Sequence, residues 1–267
     1  MSQDRQVQKS AWEVYAPQQD FLLVSTPKWV RAYFGKTFIA DSKRVKLMYE
    51  NGRLPVYYFP KEDVRMDLFK PSDYKSHSSL IGEASYWHVE VNGRVAENAV
   101  WWYEDPKSPA SELAGYVSFD WEKMDAWFEE GEQVFVHPHD PFHRIDLRKT
   151  TRHIRVVLGG ETVAETERAV MLFETGLPAR YYIPLLDLRM DLLLPSDHQT
   201  SCPYKGDASY YSLQVGDEVY ENIAWYYPYP HPEVGKIQNL VSFFQEQVDA
   251  LYVDGQQMAK PETPWSK

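Results

Sequence analysis

The residues best suited to chemistry lie in PSDHQTSCPYKGDASYY (195 to 211), where Asp197, His198, Cys202, Lys205 and Asp207 fall within eleven residues. A thiol beside an ammonium is more acidic than a free one, and a neighbouring imidazole can take its proton, so covalent thiol chemistry is one reading. A noncovalent polar pocket wall and a structured loop whose charges face water are the others, because the order of the residues matches no specific nucleophile motif. A second concentration, HPHDPFH (137 to 143), gathers His137, His139, Asp140 and His143. Imidazole and carboxylate are proper ligands for zinc or iron. Pro138 and Pro141 constrain the backbone there, and a docked, solvated linker is expected rather than a metal site. Cys202 is the only cysteine, which excludes an intrachain disulfide and a four-cysteine zinc site. Nothing matches the glycine-rich nucleotide loops, H-E-x-x-H or an EF-hand loop, and no cofactor is expected.

These residues sit in a chain that repeats itself. A shift of 124 residues lays GKTFIADSKR over GGETVAETER and LPVYYFPKEDVRMDLFKPSD over PARYYIPLLDLRMDLLLPSD. The same shift lays GEASYWHVEVNGRVAENAVWWY over GDASYYSLQVGDEVYENIAWYY. From position 31 to 132 no gap is needed, and 35 of the 102 aligned pairs are identical, which chance does not produce. Two homologous domains follow. Residues 1–29 are an N-terminal extension, 30–133 the first repeat, 134–153 a linker, 154–256 the second repeat and 257–267 a tail.

The repeat serves as an internal comparison. Tyr74 stands at the place of His198, Ser78 at Cys202, Ser79 at Pro203 and Ile81 at Lys205, so any function of this segment is altered or lost in the first copy. The charged framework around it survives in both, as Glu50 and Glu174, Asp63 and Asp187, Arg65 and Arg189, Asp67 and Asp191, and Asp73 and Asp197. An arginine between two aspartates reads first as a salt-bridged bend, and otherwise as a planar fork for a carboxylate or phosphate.

The elements that position these groups are short strands. VRAYF-GK-TFIAD and IRVVL-GG-ETVAE read as hairpins, with further strands at 45–50, 55–59, 170–174 and 179–183 and another at Phe21 to Ser25. Asn92-Gly93 fits a two-residue type I′ turn, and Gly216-Asp217 takes its place in the second copy. Strict alternation from that turn places Tyr86, His88, Glu90, Val95, Glu97, Ala99, Trp101 and Tyr103 on one side. That side is the better retained, as Tyr86/Tyr210, Glu97/Glu221, Trp101/Trp225 and Tyr103/Tyr227, and a satisfied structural network explains this as well as a ligand site does. A turn of helix is expected at 108–115 and 231–238, and a strand in preference to a helix at 116–121 and 240–245. The chain is expected to be mainly β.

Composition narrows the partners. Hydrophobic residues make up 43% of 267, enough for a sizeable core, and aromatic residues 15%, which suits pocket walls, interfaces or an aromatic β core. The formal charge of −11, with no basic run, argues against nucleic acid as a partner. No segment approaches the apolar length of a membrane span or leader, so a cytoplasmic protein without a membrane partner is expected.

The motifs YYFP (57 to 60), DVRMDL (63 to 68), CPYKG (202 to 206), ASYY (208 to 211), ENIAWYYPYP (221 to 230) and VFVHPHDP (134 to 141) resemble the family known as domain of unknown function 427, in tandem form. The resemblance covers about residues 30–255, and the family is sometimes labelled nucleotidyltransferase-like. It implies compact β domains of β-tent or Mss4-like topology, in which two sheets splay around a cleft. Carried over position by position, it implies ligand-site positions at Glu174, Cys202, Lys205, Tyr210, Glu221, Trp225 and Tyr227; Tyr182, Arg189, Asp197 and His198 complete the candidate site from the reading of the residues themselves. The first-repeat equivalents are Glu50, Tyr58, Arg65, Tyr86, Glu97, Trp101 and Tyr103, but Cys-Pro-aromatic-Lys-Gly is broken there, with only Gly82 kept. The expected function is a small-molecule binding module, or an enzyme of unassigned reaction, whose ligand carries an anionic group. A structural or protein-interaction scaffold is the alternative.

Overall fold

The computed structural model describes residues 21–50, 53–263 and 266. Chain contacts divide it between Asp140 and Pro141 into two units, each holding one repeat. The first repeat runs through β1 (Phe21–Ser25), β2 (Val30–Phe34), β3 (Thr37–Ser42), β4 (Lys46–Glu50), β5 (Val56–Pro60) and β6 (Phe69–Ser78). It continues with β7 (Gly82–Val91), β8 (Arg94–Tyr103), β9 (Tyr116–Phe119), β10 (Ala126–Glu129) and β11 (Glu132–Val134). Its seven-stranded sheet has the order β1-β4-β5-β9-β8-β7-β6, and its four-stranded sheet the order β11-β10-β2-β3.

The second repeat runs through β12 (Ile145–Lys149), β13 (Ile154–Leu158), β14 (Glu161–Thr166), β15 (Val170–Glu174), β16 (Arg180–Pro184) and β17 (Leu193–Cys202). After these come β18 (Gly206–Val215), β19 (Glu218–Tyr226), β20 (Leu240–Phe243), β21 (Ala250–Val253) and β22 (Gln256–Gln257). Its sheets, β12-β15-β16-β20-β19-β18-β17 and β14-β13-β21-β22, repeat the order of the first strand for strand. The homology seen as a constant shift is therefore a homology of topology. It extends one strand further at the N-terminal side: Phe21–Ser25 pairs with β4, and Ile145–Lys149, in the segment read as a linker, pairs with β15 in the equivalent way.

Among the described residues helix is confined to short 3-10 turns, including Ser111–Leu113 and Pro232–Ile237, where a turn of helix was expected. The Asn92-Gly93 turn has positive φ at both residues (51° and 78°), as a type I′ turn requires. At Gly216-Asp217 only the glycine does.

Period-2 alternation gives each seven-stranded sheet two apolar faces. In the second repeat Met171, Tyr181, Ile183, Leu213, Val215 and Ala224 join the core that includes the four-stranded sheet. Val170, Leu172, Tyr182, Tyr210, Trp225 and Tyr227 form a separate cluster on the other face, closed by Val234 and Ile237 of the 3-10 turn. The first repeat is built alike, with Met48, Tyr58, Ile81, Tyr103 and Leu113 in its second cluster.

Two expectations are corrected. PSDHQTSC is not a loop: it lies in edge strand β17, with an irregular pairing between Pro195 and Gln199. Strict alternation along the long hairpin also fails, because a bulge near His88 and Asn98 puts Tyr86 opposite Trp101 rather than Ala99. Asn98 adopts φ +50° and its N–H donates to Nδ1 of His88 at 3.0 Å. Asn222 (φ +52°) donates likewise to Oγ of Ser212 at 3.0 Å. Beyond the bulge Tyr86 and Trp101 are half-buried, whereas Glu97 at the hairpin tip is exposed and Ala99 belongs to the main core.

Candidate functional site

Glu174 is the last residue of β15, and alternation puts it on the face of Val170 and Leu172, inside the second cluster. Lys205 enters the same cluster as the last residue of the β17–β18 turn, and Gly206, the first residue of β18, takes φ +95°. A side chain at Gly206 would press on the carbonyl of Tyr229 at 3.2 Å. The two charged groups meet: the Lys205 ammonium donates to Oε2 of Glu174, and both residues are buried. His143, two residues before β12, donates from Nε2 to Oε1 of Glu174 at 2.9 Å. Its ring stacks on Tyr204, with centroids 3.9 Å apart and planes 12° from parallel.

The electrostatics follow from this geometry. Burial opposes ionisation of Glu174, but the Lys205 ammonium and the His143 hydrogen bond outweigh it and hold the carboxyl down at about 2. Burial likewise disfavours the Lys205 ammonium, yet the charge of the Glu174 carboxylate and its hydrogen bond outweigh this and raise its pKa. The pair is thus ionised, an internal zwitterion in an aromatic setting. Burial pushes the Tyr182 phenol up to about 12, and raises Tyr227 as well. The Tyr182 hydroxyl accepts from Nε1 of Trp225 at 3.1 Å, and Tyr210 shares a 2.8 Å hydrogen bond with Thr200.

The fold gathers Glu174, Tyr182, Lys205, Tyr210, Trp225 and Tyr227 in this one cluster, with Cys202 half-buried at its edge. Other anticipated residues lie elsewhere. Glu221 is exposed on the tip side of the bulge, so the strand-alternation argument that joined it to Trp225 does not hold. Arg189 is exposed and binds Asp191 through two hydrogen bonds of 2.8 and 2.6 Å, the salt-bridged bend of the first reading, and Arg65 does the same with Asp67. Asp197 and His198 are exposed on β17, where the His198 ring packs 4.6 Å from Tyr210.

In the first repeat Trp101 donates to Tyr58 at 3.1 Å and Ser76 shares a 3.0 Å bond with Tyr86, copying the aromatic part of the cluster, which also includes Tyr103. Among the described residues the ionic part is missing: Ile81 and Leu80 stand at Lys205 and Tyr204, and Glu50 pairs instead with Arg53 at 3.2 Å.

The histidine-rich segment is dispersed. Asp140 accepts from the Tyr49 hydroxyl at 2.8 Å, the His139 N–H donates to Glu129 at 3.3 Å, and His137 donates to the carbonyl of Pro138 at 2.8 Å. Among the described residues no group of three or more His, Cys, Asp or Glu side chains is arranged to hold a metal ion.

Two members of the site were not assigned to it from the sequence: His143 read as part of the histidine-rich linker, and Tyr204 only as the aromatic residue of CPYKG. The available signal was the 124-residue shift carried back past position 155, which sets IDLRK (145–149) on FLLVS (21–25) as a strand and puts His143 two residues before it. A buried arginine was also missed: Arg180 binds Glu246 through two hydrogen bonds of 2.8 and 2.5 Å, and Thr263 donates to Glu246 at 2.6 Å.

Fold and site together define a tandem, mainly β protein whose second repeat carries a buried ionic cluster at the place where the first has apolar residues. A family model described as a domain of unknown function (DUF427) matches residues 22–130 and again residues 146–254, and the chain belongs to that family as a two-copy member. Comparison with curated proteins finds no match.

Proposed function

We propose that this chain is a small-molecule binding module whose site is the Glu174–Lys205–His143 cluster of the second repeat, the first repeat keeping the fold without the site. One observation carries the reading: Lys205 and Ile81 are equivalent and both buried, so the fold forms equally with an apolar residue there. A buried ion pair is commonly no more stabilising than well-packed apolar residues of like volume. Stability alone therefore gives no reason for the pair, whereas recognition does. The aromatic wall of Tyr182, Tyr210, Trp225 and Tyr227 with a few polar anchors is the usual composition of a ligand site.

The ligand expected from Lys205 carries an anionic group. Because Lys205 is paired, such a group takes the ammonium over from Glu174, which favours a ligand that also brings a hydrogen-bond donor for the carboxylate. The β-tent or Mss4-like topology belongs to this reading, supported by the two unequal sheets of each repeat. A cytoplasmic setting belongs to it too, supported by the lone free thiol and by the described residues holding no helix long and apolar enough to cross a membrane. The net charge of −11 supports leaving nucleic acid out.

The test is a thermal-shift screen of a metabolite library, followed by calorimetry on the wild type and on Lys205→Met with Glu174→Gln. At least one compound should bind the wild type and lose at least tenfold in affinity in the double variant. A library without hits, or hits indifferent to that variant, would overturn the reading. Turnover of a hit would make the protein an enzyme.

The scaffold alternative is favoured by a different observation. Leu186 and Leu194 stand exposed (79% and 38%) where the first repeat has Glu62 and Lys70. An apolar replacement of surface charge suits a protein partner. Leu186→Glu with Leu194→Lys would release such a partner and leave small-molecule binding unchanged.

A further inference from the structure

The chain's own His143 sits in the cluster as a ligand would. An imidazole is a planar nitrogen heterocycle, and here it makes the two contacts by which proteins hold such rings: one face lies on Tyr204 at 3.9 Å, and one ring N–H donates to a buried carboxylate oxygen at 2.9 Å. Its side chain is 13% exposed and that of Glu174 4%. The other oxygen of Glu174 belongs to Lys205, which orients the carboxylate and leaves Oε1 as the atom that reads the ring.

A purely structural role for this arrangement would be expected in both repeats, and it is not. Leu80 and Ile81 replace Tyr204 and Lys205 in the first repeat, which nevertheless builds the same sheets. The backbone beside His143 is held in place: the Arg144 N–H donates to Oγ1 of Thr175 at 3.0 Å, and the Thr175 N–H to the carbonyl of Arg144 at 3.0 Å. Rotation of the imidazole about its side-chain bonds vacates the place with these backbone hydrogen bonds intact, at the expense of its contacts with Glu174 and Tyr204.

We infer that the second repeat binds a planar nitrogen heterocycle, of the imidazole, purine or pyrimidine kind, in the place His143 fills, stacked on Tyr204 with a ring or exocyclic N–H on Oε1 of Glu174. The inference rests on the binding-module reading and supplies the ring of its ligand; with a neutral ring alone Lys205 stays on Glu174, and an anionic group on the same ligand is what would take the ammonium over. An ionised carboxylate accepts and does not donate, so the recognised edge presents a donor. His143 competes for the place, and removing it raises the apparent affinity by the inverse of the fraction of molecules in which the place is open.

The test is calorimetry on the full chain with imidazole, adenosine, guanosine, cytidine and uridine, using wild type, His143→Ala, and His143→Ala with Tyr204→Leu, the residue of the first repeat. At least one of these compounds should bind His143→Ala at least tenfold more tightly than wild type, and the added Tyr204→Leu should reverse the gain. Circular dichroism verifies that the variants fold. Should His143→Ala not fold, the His143 ring-proton resonance of the wild type is followed during nucleoside titration, and it should move. Folded His143→Ala without gain for any of the compounds, a gain indifferent to Tyr204→Leu, or an unmoved resonance overturns the inference. A library hit of another class, lost in Lys205→Met with Glu174→Gln but insensitive to His143 and Tyr204, would remove the heterocycle and leave the binding-module reading standing.

Discussion

Ile81 and Lys205 occupy equivalent positions of the two repeats and are both buried, with 0% and 8% of their surface exposed. The first lies among Tyr58, Ala84 and Tyr103, and the second bonds Glu174 among Tyr182, Tyr210 and Tyr227. One backbone thus holds an apolar and an ionic solution to the same interior position.

That contrast makes a stability prediction. Lys205→Met alone leaves the Glu174 carboxylate buried without its ammonium, and should destabilise the second repeat by about 3–5 kcal/mol. Adding Glu174→Gln removes the orphaned charge and should recover most of the loss. Chemical denaturation followed by tryptophan fluorescence measures both, and equal losses in the single and double variants would contradict the pairing.

The same pair sets a pH dependence. Glu174 is held at about 2 against an ordinary 4.5, so its contribution is present above about pH 4.5 and is lost as the pH falls towards 2. The amount is of order 3 kcal/mol. Lys205 is raised above its ordinary 10.5, so its contribution is present below that value and lost as the pH climbs through the higher folded-state one. Acid denaturation of Lys205→Met with Glu174→Gln should be shallower between pH 4.5 and 2 than that of the wild type.

Arg180 and Glu246 form a second buried pair, with side chains 6% and 0% exposed. The first repeat has Val56 at the place of Arg180, while its Glu122 is exposed. Arg180→Val should therefore cost about 3–5 kcal/mol, and adding Glu246→Leu should restore much of it. A double-mutant cycle in urea gives the coupling, and a coupling near zero would show that the pair is dispensable.

Asn222 combines φ +52° with a 2.5 Å hydrogen bond from the Ser196 hydroxyl. Asn222→Ala loses both the tolerated conformation and the bond, and should cost about 2 kcal/mol, whereas Asn222→Gly keeps the backbone and should cost less. Thermal melts of the two variants rank them, and an alanine as stable as the glycine would refute the strain argument.

Much of the fold could be read before any coordinates. Turn residues such as Asn92-Gly93 and the apolar alternation of VMLFE act between neighbours, so local sequence carries them. The bulge at Asn98 and Asn222 could not be read, because it interrupts alternation without any composition signal beyond the asparagine itself. Its consequence was the misplacing of Glu221 beside Trp225.

For the site, the sequence by itself determined which copy differs: Lys205, Cys202 and Tyr204 against Ile81, Ser78 and Leu80 are visible from the 124-residue shift alone. It also determined the common strand order, since each strand of one repeat has its counterpart at that spacing. Only the tertiary structure decided what Lys205 does. Glu174 lies 31 residues from both His143 and Lys205, and three strands separate β15 from β18 in the sheet. Contacts between groups so far apart along the chain depend on which faces the sheet turns inward and on where the β17–β18 turn comes to rest. Spacing in one dimension carries neither, which is why Lys205 read as an ammonium awaiting an anion and proved to be the partner of a carboxylate already in place.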